Sequence, residues 1–177
     1  MINIFINQDI VSTELKVRFA GEIGSDTSGV SRDAYTCFWR EFLANNADGE
    51  DTRVPAVNTK WQKDEWMAIG RILLKGFVDY KYFPLMMSIP FVVGLIFGKD
   101  AVTTEILKEG FSKYLCVADR NLISKAEAHF DTLDDDDQEI LADVLDGLGA
   151  HTIPTNSQEM TILLYKIAYK KLLHAGM

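Results

Sequence analysis

From Tyr82 to Gly98 the chain carries no charged side chain, reading YFPLMMSIPFVVGLIFG. A run this apolar can leave water by crossing a bilayer or by entering the middle of a packed protein. Crossing needs roughly 20 residues of helix. This run is shorter and holds Pro84 and Pro90, whose rings remove a backbone donor and clash with the preceding turn. A helix apolar on every side also suits the centre of a soluble helical domain. The run therefore predicts a buried helix over Leu85–Phe97 and no membrane partner.

The segments around it read as partners for such a helix. Over Trp61–Tyr80, the residues Trp66, Ile69, Leu73, Phe77 and Tyr80 recur at helical spacing, with Lys63, Asp64, Arg71 and Lys75 mostly on the other side. Gly70 and Gly76 inside that helix suggest close approach to a neighbour, since each costs about 1 kcal/mol against alanine. Val30–Asn45 predicts an amphipathic helix with Val30, Tyr35, Phe38, Trp39 and Phe42 on one side. Its cap is Ser28 or Ser31, with Asp33 in the first turn. A polar surface loop then runs to Pro55. Before the helix, Leu15, Val17 and Phe19 alternate with Lys16 and Arg18 as in a strand. Residues 1–13 are weakly patterned and read as an N-terminal extension, although Ile2, Ile4 and Phe5 could dock on the core.

After Gly98 shorter helices follow: one capped by Thr103 or Thr104, then Ala118–Phe130, Asp134–Leu148, and a last one capped by Asn156 or Ser157. Asp134 to Asp137 lack the alternating oxygens, glycine and distant glutamate of a calcium loop and read as acids over a helix N-terminus. The expected fold class is α+β and mainly helical, with a small N-terminal β element and six or seven helices.

Composition narrows the function. With 26 acids against 18 bases, a net charge of −8 repels a phosphate backbone, so nucleic acid is not expected as a partner. Cys37 and Cys116 are far apart, form no CxxC and read as buried free thiols of a reducing compartment. No basic segment followed by an apolar run opens the chain. Cytosol or nucleus fits. His129, His151 and His174 are isolated, and the glycines at 21, 24 and 29 have neither Walker nor dinucleotide spacing.

Two blocks resemble a known family. Phe19, Gly21, Glu22, Gly24, Asp26, Gly29, Val30 and Arg32, followed by Ile69-Gly70-Arg71-Ile72-Leu73, Lys75, Tyr82-Phe83-Pro84-Leu85 and Leu95-Ile96-Phe97-Gly98, are similar to the N-terminal lobe of the HECT ubiquitin-ligase domain. Thr155 and Asn156 match a late turn of that lobe. Ser28 and Ala34-Tyr35 depart from the pattern.

The resemblance covers nearly all of residues 14–177 and implies a divergent HECT N-lobe-like domain, with the region of about 117–153 as its E2-binding subdomain. In the family, ubiquitin passes from a charged E2 to a ligase cysteine in a second, C-terminal lobe, which is expected to be missing from this chain. The chain alone is then expected to be inactive. No catalytic, cofactor-binding or metal-ligating residue is expected here. Phe19, Gly21, Glu22, Gly24, Asp26, Gly29, Arg32, Gly70 and Arg71 are a structural motif.

The expected partners are a ubiquitin-conjugating E2 enzyme and, secondarily, ubiquitin. E2-contact residues are not assigned by the resemblance, and Leu122, Phe130, Leu133 and Leu148 read as core. Glu22, Asp26 and Arg32 could form a catalytic acid pair, but bracing of the loop fits better. Cys37 follows Thr36, an echo of the family's Thr-Cys, yet sits among aromatics. The alternatives are a degenerate HECT-like interaction scaffold without ubiquitin transfer and, further off, a small-molecule enzyme.

Overall fold

The structure, a computed structural model, describes residues 1–18, 28–56 and 61–173. Among these it holds eight α-helices, short 3-10 turns and one two-stranded sheet, a mainly helical α+β fold. Its contacts group it into two units: Met1–Asn46 with Val57–Leu85, and Ala47–Ala56 with Met86–Met177. Residues 1–13, set apart as an extension in the sequence, thus belong to the first unit.

In the first unit, α1 (Ile2–Phe5) and a 3-10 turn over Gln8–Ser12 lie on α3 (Lys63–Tyr80), which also packs against α2 (Ser28–Asn46). Aromatic rings hold the two long helices together. Phe42 of α2 stacks on Trp61 at 5.3 Å and meets the edge of Trp66, while Tyr35 lies 5.7 Å from Tyr80. A Cβ on Gly76 would stand 3.0 Å from the Tyr35 ring, so glycine there eases the close approach of α3 to α2. Gly70 has open space instead, which corrects the close approach expected of it.

Other expectations change too. Residues 14–18 hold no regular structure in place of the expected strand, and Phe19 lies outside the described residues. Ser31 is no cap: it is fully buried inside α2. Asp33 lies beyond the first turn of that helix. Lys75, expected on the polar side, is 3% exposed, because its ammonium reaches Asp79 at 2.9 Å and the Val11 carbonyl at 3.2 Å. Phe77, expected in the core, is exposed.

In the second unit, the polar loop after α2 turns out to be a hairpin. β1 (Ala47–Asp48) pairs antiparallel with β2 (Val54–Pro55). Glu50 and Thr52 donate to the Tyr114 and Lys113 carbonyls, both at 3.1 Å, so the hairpin tip is tied to the end of a helix. That helix, α5 (Thr104–Tyr114), packs with α4 (Ile89–Phe97) and α6 (Val117–His129) around α8 (Ser157–Leu173), and α7 (Asp135–Gly147) packs on α6. Thr103 caps α5, accepting from the Ile106 N–H, and Asn156 caps α8, accepting from Glu159 at 2.9 Å.

The largest correction concerns the apolar run. Only Pro90 of α4 is buried; Leu85 is 90% exposed, and Leu95, Ile96 and Phe97 also face solvent. One side of α4 explains the difference. Pro90 sits so close to Gly110 of α5 that a Cβ there would lie 2.2 Å from the proline ring, and Gly94 backs onto Leu173 and Val102. The Pro90–Gly94 side meets α5 and α8, Phe91 packs partly buried against the same core, and Leu95, Ile96 and Phe97 stay exposed. No described helix is long and apolar enough to cross a membrane.

These contacts set two expectations. Gly110→Ala should lose about 1–3 kcal/mol by driving a methyl into the Pro90 ring, whereas exposed Gly70→Ala should gain about 1 kcal/mol of helix propensity; urea unfolding measures both. The second concerns pH. Burial, then Asp79 and Tyr80, raise the Tyr35 hydroxyl above the ordinary 10.0, and burial, then Asp48, raises that of Tyr114. A raised folded value means that ionisation favours the unfolded chain. The contribution is therefore complete below pH 10 and is lost as pH climbs past it. Tyr35→Phe should flatten that loss. Since the buried hydroxyl meets no acceptor among the described residues, the variant should leave neutral-pH stability unchanged within about 1 kcal/mol.

Candidate functional site

The stretch expected to dock a partner, residues 117–153, forms a helical pair. α6 starts at Cys116, whose sulfur accepts from the Asp119 N–H at 3.4 Å. α7 starts at Asp134, whose carboxylate accepts from the Asp137 N–H at 2.8 Å. This is the work read for the aspartate run: Asp134 satisfies a donor that the first helical turn leaves open. Asp137 in turn receives the Lys125 ammonium, joining α7 to α6. Below them Leu133, Leu141 and Leu145 are buried, and Leu122, Phe130 and Leu148 pack against the same cluster.

Three apolar side chains of this stretch face water: Val117 on α6, Ile140 on α7 and Ile153 in the connection to α8. Ile153 also borders an open depression of ≈ 270 Å³ with Pro154, Ile162 and Lys166. A smaller one of ≈ 80 Å³, between α5, α6 and α8, is lined by Phe111, Ser124, Glu127 and Tyr165 among others. Its carboxylate is already engaged, since Glu127 receives Lys108 at 3.0 Å and the Thr161 hydroxyl at 3.2 Å. Glu159 is held below its ordinary carboxyl value by the Thr155 N–H and then the Thr155 hydroxyl, a turn-bracing role. These are shallow surfaces, suited to holding another surface.

The sequence-derived residues are dispersed. Phe19, Gly21, Glu22, Gly24 and Asp26 lie outside the described residues, so the bracing or catalytic reading of Glu22 and Asp26 does too. Gly29 and Arg32 are exposed near the start of α2. Gly70 is exposed on α3, and its neighbour Arg71 holds the Phe5 and Ile6 carbonyls at 3.0 and 3.1 Å. Cys37 is exposed, correcting its expected burial, because its position on α2 points away from the Tyr35–Trp39–Phe42 face; Cys116 is half-buried. His129 and His151 are exposed, and His174 lies outside the described residues.

What sequence reasoning missed is the pairing of Arg71 and Lys75 with the first residues of the chain. Their spacing of one helical turn was the available signal. No protein-family model, curated protein or solved structure matches this chain.

The cap gives a direct check on the pair. Asp134→Ala should lower stability by about 1 kcal/mol, read by urea unfolding, with faster amide exchange in the first turn of α7 than in the rest of that helix.

Proposed function

We propose that this chain is the non-catalytic N-terminal lobe of a HECT-like E3 ubiquitin ligase, and that it docks a ubiquitin-charged E2 through residues 117–153. The observation that carries the reading is the pair of ordered sequence blocks, Phe19–Arg32 and Ile69–Gly98. The helical fold is compatible with it, and the stretch offers exposed Val117 and Ile140 on the α6–α7 pair and Ile153 just after it. The lobe's part in the relay is positional: it holds the E2 while the thioester passes to a cysteine outside the segment this chain resembles. Cytosol or nucleus is the setting this reading requires.

A second reading, an interaction scaffold without ubiquitin chemistry, draws on the exposed Leu95, Ile96 and Phe97. An apolar row of this kind marks a contact surface whichever partner covers it.

Titration of the isotopically labelled chain with a panel of E2 enzymes, followed by NMR, separates the two. The docking reading expects shifts concentrated in residues 117–153 with at least one E2. It also expects Ile140→Arg to weaken binding by about tenfold or more. Absence of shifts with every E2 would contradict docking and leave the scaffold.

A further inference from the structure

The first residues of the chain are gripped in an unusual way. Arg71 donates from Nη1 to the carbonyls of Phe5 and Ile6, the last residue and the cap of α1. One turn along α3, Lys75 donates to the carbonyl of Val11 in the 3-10 turn. Two cations of one helix thus close the C-terminal ends of two successive short turns, as basic groups do at helix ends. Both hold backbone, so these contacts do not depend on the side chains of the segment they grip. The side-chain hold centres on Phe5, which is 2% exposed; Ile2, Ile10 and Val11 are half-buried, while Met1, Ile4 and Ile6 are exposed.

We propose that the face of α3 bearing Arg71 and Lys75 is a peptide-binding groove, occupied in cis by residues 1–13 and open, when this strap lifts, to a segment of the same kind in trans. The ligand class is a short peptide of two successive helical turns, the first ending in an aromatic anchor whose own and next carbonyls meet Arg71, the second offering a carbonyl to Lys75. Lifting is local for a physical reason. Turns this short have little stability of their own, and the strap is held by the buried Phe5 ring, the partly buried Ile2, Ile10 and Val11, and three charge-assisted hydrogen bonds. It belongs with the segments that open before the body of a fold does. Asp79, paired with Lys75 at 2.9 Å, keeps the ammonium in place for the incoming carbonyl. The inference does not depend on any ubiquitin chemistry.

Two measurements on the full chain test it. In hydrogen exchange, the strap amides of Phe5, Ile6, Ile10 and Thr13 should exchange through an opening that the α3 amides do not share. A single common exchange free energy for strap and α3 would overturn the proposal. In binding, a fluorescent peptide with the sequence of residues 1–13 should bind the Phe5→Ala chain at least about tenfold more tightly than the wild type, because the competing strap has been weakened. Adding Arg71→Gln should abolish that gain. Equal binding by wild type and Phe5→Ala would overturn the proposal, and if Phe5→Ala does not fold, the exchange result on the wild-type chain decides it alone.

Discussion

The second unit depends on one buried stripe, that of α8. Met160, Leu164, Ile167, Ala168, Leu172 and Leu173 are all buried, and α4, α5 and α6 pack on this helix. Burying such side chains is worth roughly 1.5–3 kcal/mol each for the larger ones, far more than any single cap or ion pair in the unit. Small residues allow the approach: Gly110 accepts the Pro90 ring, and Gly94 accepts Leu173. The hairpin completes the arrangement, with Val54 joining the same cluster and Arg120 reaching Asp51 at 2.8 Å.

Local signals in the sequence translated well into structure. Thr103, Asp134 and Asn156 cap their helices because a cap is decided within three residues. Burial set by distant segments was not legible. Lys75 looks like a surface residue until Val11 is laid over it, and Phe77 looks like core until α3 turns its Ala68–Ile72–Gly76 side inward. The run over Leu85–Phe97 was misread because composition gives a helix's appetite for burial but not its supply of partners. Here Pro90, Phe91 and Gly94 meet the core, while Leu95, Ile96 and Phe97 stay exposed.

The candidate site was legible in outline only. Its helices, the acids over the start of α7 and the inward role of Leu133 follow from pattern, whereas the Cys116 cap of α6 does not. Which side chains stay outward does not, because Ile140 and Leu141 differ in burial although they are neighbours in sequence. The two motif residues seen on α3 separate in the same way. Gly70 has open space over it, while Arg71 reaches back to carbonyls 65 and 66 residues earlier in the chain. The proposed docking role therefore rests on a support whose rigidity comes from α8, beneath residues that do no chemistry of their own.

Amide hydrogen exchange across the second unit, followed as denaturant is added, tests this dependence most directly. If α8 is the common support, the inward amides of α5, α6 and α8 converge on one opening free energy, equal to that of unfolding the unit. Exchange of α8 ahead of α6, with α6 and α7 still protected, would show that the helical pair stands without it and would contradict the account.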